Sequence, residues 1–207
     1  MKLIALALAA AIASFGTTLN VSDRLVAQLS ARFGPEARPR VAAWQQFARE
    51  RKNAPLPEAA LLASVNTFFN RLPFVSDPVH WGADDYWATP AESLASNGAD
   101  CEDFSVSKYL MLKELGVPIS KLRITYVTST RVREPHMILA YYATPDAEPL
   151  VLDNLEGTVR PASQRTDLTP VYSFNDDEVR AAGKTGSPLQ IRKWRELLQK
   201  LEREART

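Results

Sequence analysis

Between Gly116 and Leu122 the texture of the chain changes, and that change sets the fold class. Upstream, apolar residues recur at helical spacing: Val41, Trp44, Phe47 and Ala48 in one segment, then Leu61, Leu62, Val65, Phe68, Phe69 and Leu72 in the next. Pro55 and Pro57 part the two, and Pro73 and Pro78 follow, so they read as discrete helices rather than one rod. A third helix is expected to begin beside Asp100, with Phe104, Tyr109, Leu110, Leu112 and Leu115 as its buried stripe and Gly116 and Pro118 as its stop. Downstream, LRITYVTST, HMILAYYAT and PLVLDNL are β-branched and aromatic runs that read as three strands. Their connections, RVREP and TPDAEP, are short enough for antiparallel neighbours. N-terminal helices packed on an antiparallel sheet make an α+β domain, not a series of βαβ units.

The ends of the chain carry their own signals. MKLIALALAAAIASFG sets one lysine before an uncharged apolar run, with Ala11-Ile12-Ala13 as a small-x-small cleavage site. Residues 1–13 therefore read as a secretory signal peptide and 14–207 as one exported domain; an uncleaved anchor helix is the alternative. The run is shorter than the roughly 20 apolar residues of a spanning helix, and no later stretch reaches that length, so direct membrane insertion is not expected. After it, a short polar segment leads to the helices. Losing Lys2 from 25 basic against 24 acidic residues leaves the mature chain neutral, which speaks against a nucleic-acid partner. The segment from Trp81 to Gly98 reads as loop, and a strand-like fragment lies near Val171-Tyr172. A last amphipathic helix carries Ile191, Trp194, Leu197, Leu198 and Leu201, with a largely basic opposite face that reads as solvated.

The chain has one cysteine, Cys101, so no internal disulfide can form. It stands at the expected helix start, where free backbone N–H groups and the helix dipole stabilise a thiolate and can receive an oxyanion. A thiolate needs an imidazole to hold the ion pair and protonate a leaving group, and a third group to fix that imidazole. Of the two histidines, His136 opens a strand and is rigidly placed, whereas His80 lies in irregular chain. Asp153, ending the third strand, can reach His136 if those strands are neighbours. Cys101, His136 and Asp153 thus form a candidate catalytic triad; the plainer readings are a buried inert thiol, a packed strand histidine and a turn-forming aspartate.

Asp100, Glu102 and Asp103 crowd this cysteine, and like charge opposes a thiolate. Clustered carboxylates suit a hard cation, so Ca²⁺ at Asp100, Glu102 and Asp103, with a further oxygen from Asp84 or Asp85, would cancel the charge and order the helix start. The alternative is ordinary helix grammar, with Asp100 as N-cap and the other two complementing the dipole. NDDE at 175–178 is a weaker calcium candidate, since it lacks the pattern of an EF-hand loop.

WGADDYWATPAE, NGADCEDFSVSKYLMLKELG, HMILAYY and LVLDNL together resemble the bacterial transglutaminase-like cysteine proteinases. The resemblance covers Trp81 to Leu155 and is closest to members that act on adhesins in the periplasm. It implies a papain-like, transglutaminase-like core, with Cys101, His136 and Asp153 as triad and Asp100 and Glu102, with Asp103, as calcium ligands. It implies endoproteolysis near the N-terminus of a large cell-surface adhesin, control of biofilm attachment, and inhibition by the periplasmic domain of an inner-membrane cyclic-di-GMP receptor. The same triad could serve a peptidoglycan amidase or a transglutaminase, and a calcium-binding module could carry it as a vestige.

Overall fold

The computed structural model describes residues 21–207, so the expected signal peptide at 1–13 lies outside the described residues. Seven helices are described: α1 (Asp23–Phe33), α2 (Ala37–Asn53), α3 (Glu58–Phe69), α4 (Asp77–His80), α5 (Pro90–Ser96), α6 (Cys101–Glu114) and α7 (Arg192–Ala205). The strands are β1 (Leu122–Ser129), β2 (Pro135–Tyr141), β3 (Leu150–Leu152), β4 (Arg160–Pro161), β5 (Leu168–Phe174), β6 (Val179–Ala181) and β7 (Lys184–Gly186). All pair antiparallel in one sheet of order β4-β3-β2-β1-β5-β6-β7. The expected α+β architecture is therefore present, with helices and then sheet. None of the helices among the described residues is long and apolar enough to cross a membrane.

α6 is the axis of the molecule. Every residue from Asp103 to Leu112 is buried, because α3 and α5 cover it on one side and β1 and β2 on the other. A helix enclosed on all sides needs no single apolar stripe. That explains why Ser105, Ser107 and Lys108 lie in the interior alongside Phe104 and Tyr109. Residues alternate across the sheet: Met137, Leu139 and Tyr141 of β2 join the main core, while Ile138 packs on the other face with Val127 and Val151. Ala162 and Leu168 cover that second face, so the chain between β4 and β5 wraps the back of the sheet. α7 closes the far side. Its Trp194 is fully buried and meets Phe174 and Tyr109 edge-on, at centroid distances of 5.3 and 5.8 Å.

Four expectations need correction. The polar stretch after residue 20 is helical as α1, capped by Ser22 and anchored by Leu25, Val26 and Leu29. The Trp81–Gly98 loop contains α5, which has a complete capping box in Thr89 and Glu92 and a proline in its first turn. The sheet has seven strands, not three; the Val171-Tyr172 fragment belongs to a full strand beside β1, and a tight β6–β7 hairpin turns at Ala182 and Gly183, both with positive φ. The basic face of α7 is only partly solvated: Lys193 pairs with Asp85 at 3.2 Å and Lys200 Nζ donates to the Trp87 carbonyl at 2.7 Å, pinning the segment that enters α5.

Candidate active site

Asn97 ends α5 in the left-handed conformation and Gly98 follows, so the chain reverses and starts α6 almost at once. Gly98 is required there: a Cβ would stand 2.3 Å from His80 Cε1. His80 is thereby fixed as a packing residue, its Nε2 2.8 Å from Ser96 Oγ, and it stays out of the cleft described below. The reversal delivers Asp100 to the N-cap and Cys101 to the first helical position. The thiol lies at the α6–β2 contact, beside the backbone N–H of Met137.

His136 and Asp153 come together as their strands dictate. β2 and β3 pair with Leu139 opposite Leu152, and continuing that register puts Asp153 opposite Ile138, diagonal to His136 on the same face. His136 Nε2 lies 2.7 Å from Asp153 Oδ1, and both side chains are buried. Nδ1 is the ring nitrogen left for other work. Asp153 Oδ1 also accepts the Leu155 N–H at 3.1 Å. Its Oδ2 faces Arg165 Nη2 at 2.7 Å, a partner that the sequence analysis did not identify. Burial alone would raise the Asp153 carboxyl, but the hydrogen bond and charge of His136, the Leu155 N–H and Arg165 outweigh it and hold it at about 2. A second cation, Lys108, is buried deeper on α6. Burial pushes its ammonium down to about 7 against the pull of Asp153, and its Nζ has no hydrogen-bond partner.

Around the thiol the charge is of the other sign. Carboxylate oxygens of Asp77, Asp100 and Glu102 all lie within 4.8 Å of one another. Burial, and then the charges of Glu102, Asp103 and Asp77, push the Asp100 carboxyl up to about 10. Burial likewise raises Glu102 and, with Glu102 and Asp100 beside it, drives the Cys101 thiol up. As a result the S–H donates to Glu102 Oε2 at 3.1 Å. Asp100 makes no capping hydrogen bond, and its Oδ1 and that of Asp77 are sealed from solvent without a partner. The helix-grammar reading of Asp100 therefore leaves a buried acceptor unexplained.

Asp77, which the sequence analysis missed, is the third member of this cluster. Asp103 points elsewhere, its Oδ1 accepting the Ala88 N–H at 2.7 Å. Asp84 and Asp85 line the same cleft, but neither joins the three converging carboxylates, and Asp85 is paired with Lys193. The NDDE stretch is a turn: Asn175 Nδ2 donates to the Ile119 and Leu122 carbonyls, Glu178 pairs with Arg123 and Asp176 with Lys113.

Cys101, His136 and the carboxylates open into one cleft of about 900 Å³. Phe74, Trp87, Val132 and Tyr172 give it apolar walls, with Arg192 and Lys193 at its rim. A thiol, an imidazole anchored by a carboxylate, and free N–H groups at a helix start are the parts needed for acyl transfer through a thioester.

Comparison with known proteins agrees with that chemistry. Residues 40–177 match the family of bacterial transglutaminase-like cysteine proteinases. The EGTA-treated structure of Legionella pneumophila LapG is 38% identical and superposes with a TM-score of 0.76 over 86% of this chain and 96% of that one. Calcium-bound LapG from the same organism is 39% identical, with a TM-score of 0.73 over 86% of this chain and 98% of that one. No match is found among curated proteins.

Proposed function

The chain belongs to the bacterial transglutaminase-like cysteine proteinases, and from that premise we propose that it is a calcium-dependent periplasmic endopeptidase that cuts the N-terminal region of a large cell-surface adhesin and so controls attachment in biofilms. It is a cysteine protease with a single cysteine, and that cysteine shares its cleft with a histidine bonded to a buried aspartate. This convergence carries the reading. Cys101 acts as nucleophile, His136 as base and acid, and Asp153 fixes the imidazole.

The thiol proton passes to His136, and the sulfur attacks the carbonyl carbon of the scissile peptide. The C–N bond breaks as His136 gives that proton to the departing amine, leaving a thioester on Cys101. His136 then takes a proton from water as the water oxygen bonds to the thioester carbonyl; the C–S bond breaks, the departing sulfur takes that proton back from His136, and the acid product leaves as its carboxylate, its own proton going to solvent. Backbone N–H groups at the start of α6 stabilise the oxyanion in both halves.

Calcium fits the residues present. Asp77, Asp100 and Glu102 offer hard oxygen donors, two of them with buried oxygens lacking any partner, and a cation held there would neutralise the charge that opposes a thiolate. Calcium bound to Legionella LapG supports the choice of ion. Asp100 and Glu102 are the ligands we assign first, with Asp77 as the third. Asp103 supports them by holding the Ala88 backbone.

The N-terminal apolar segment supports export, and the open cleft supports a polypeptide substrate. Adhesin as substrate, and a cyclic-di-GMP receptor's periplasmic domain as inhibitor, follow from the resemblance to adhesin-processing members of the family. The test presents the calcium-loaded protein with three substrates: an N-terminal fragment of a large adhesin from the same genome, purified peptidoglycan sacculi, and glutamine and lysine acceptor peptides. A discrete cut in the adhesin alone is expected. Release of sacculus fragments, or cross-linked peptides with the adhesin intact, would replace the reading with an amidase or a transglutaminase.

A further inference from the structure

His136 uses only one oxygen of Asp153. The other lies 2.7 Å from Arg165 Nη2, and both of these side chains are buried. Arg165 is itself held in place by Asp167, through Nε to Oδ1 at 2.9 Å and Nη2 to Oδ2 at 2.8 Å. The order along this chain of contacts is therefore imidazole, carboxylate, guanidinium, carboxylate, running from the cleft to the back of the sheet. Only the last group is appreciably exposed.

The backbone that carries Arg165 is built to hold it still. Residues 162–164 form a single 3-10 turn, the Arg165 N–H donates to the Ala162 carbonyl at 2.9 Å, and the Leu168 N–H donates to the Arg165 carbonyl at 3.0 Å. Ala162 and Leu168 on either side pack against Val127, Ile138 and Val151, on the face of the sheet that carries His136. Packing alone does not account for the residue. Its Nη1 is buried without a hydrogen-bond partner, and a guanidinium with an unused donor is an unfavourable group to bury. A cation does meet a need here: the fork of Arg165 grips Asp167 and so holds Nη2 in ion-pair contact with Asp153 Oδ2, and a carboxylate whose second oxygen is drawn to a fixed charge turns less freely than one held at a single oxygen.

We infer that Arg165 is a positioning residue of the active site: it clamps Asp153 Oδ2 so that Oδ1 stays aimed at His136 Nε2, which keeps Nδ1 presented to the Cys101 sulfur. This rests on the triad reading above. Asp167 is the anchor that keeps the clamp straight.

The experiment measures kcat and KM of the calcium-loaded chain for Arg165→Gln, Arg165→Lys, Asp167→Asn, Asp153→Asn and the Asp153→Asn/Arg165→Gln double variant. Arg165→Gln should lower kcat by about 10- to 100-fold, the usual loss when an outer partner of a reacting side chain is removed, with KM changed by no more than about twofold. Arg165→Lys, which keeps the charge without the fork, should recover part of that loss, and the double variant should be no slower than Asp153→Asn alone. If Arg165→Gln does not fold, Asp167→Asn is the alternative variant, with kcat expected to fall about 3- to 10-fold as the clamp loosens. Full kcat in the folded Arg165 and Asp167 variants, or losses that multiply in the double variant, would leave Arg165 a loop anchor and overturn the inference. Full activity in Asp153→Asn would instead overturn the triad, which separates the two failures.

Discussion

A Cys101→Ala protein is expected to fold and bind calcium but to cleave nothing. The chain has no second thiol, so no other side chain can form the thioester, and the loss of turnover should be on the order of 10⁵-fold or more. Stability should change by about 1 kcal/mol, because one partly buried sulfur at the edge of the core is removed and the backbone is kept. The Cys101 side chain lines the cleft, and what it gives up is the S–H contact to Glu102, the contact with the Met137 backbone N–H and its packing against the edge of the core. The two readouts are proteolysis followed by mass spectrometry and thermal unfolding followed by circular dichroism. Residual cleavage at the same peptide bond, at more than a trace of the wild-type rate, would place the nucleophile elsewhere.

Calcium removal is expected to silence the enzyme as thoroughly as loss of the thiol, for an electrostatic reason. Without a cation, burial and mutual repulsion push the Asp100 carboxyl up to about 10, so the group of three carboxylates must carry at least one proton at neutral pH. The Cys101 thiol, pushed up by burial and by Glu102, favours its protonated form and hydrogen-bonds through it to Glu102 Oε2. The linkage runs in one direction. A carboxyl whose folded value lies above its unfolded one weakens the fold at neutral pH, and a bound cation that restores the ionised form returns that stability. At free calcium about 100 times the dissociation constant, binding contributes about 2.7 kcal/mol, equivalent to roughly 5–10 °C in Tm for a chain of this size. EGTA should abolish cleavage and lower Tm by that amount, and added calcium should restore both. Unchanged turnover and Tm in excess chelator would remove calcium from the site.

The parts of this site that were legible in sequence are those that local patterning dictates. Cys101 follows the Asn97-Gly98 reversal and opens the helix run, so its position at an N-terminus could be read directly. His136 and Asp153 sit at the ends of β-branched runs joined by a short connection, and antiparallel pairing then brings them together. Asp77 and Arg165 had no such marker. Asp77 lies far upstream in a one-turn helix and reaches the carboxylate cluster only because the folded chain returns there, helped by a Tyr86 N–H donated to its side chain. Arg165 lies in a turn whose role depends on wrapping the back of a sheet, a tertiary fact with no period in the sequence. α5 was different, since Thr89, Pro90 and Glu92 are a readable N-cap, first-turn proline and capping-box acid. The surrounding WGADDYW, rich in turn residues, concealed them.

The central claim is that the cation, not the helix dipole alone, lets the Cys101 thiol ionise beside His136. The direct measurement is the rate of Cys101 alkylation by iodoacetamide across pH, on the full chain with calcium and again with EGTA. With calcium, rapid alkylation should persist through neutral pH and be lost in His136→Ala; with EGTA, alkylation at neutral pH should be slow and rise only under alkaline conditions. Slow alkylation in both states, following one and the same pH curve, would contradict it.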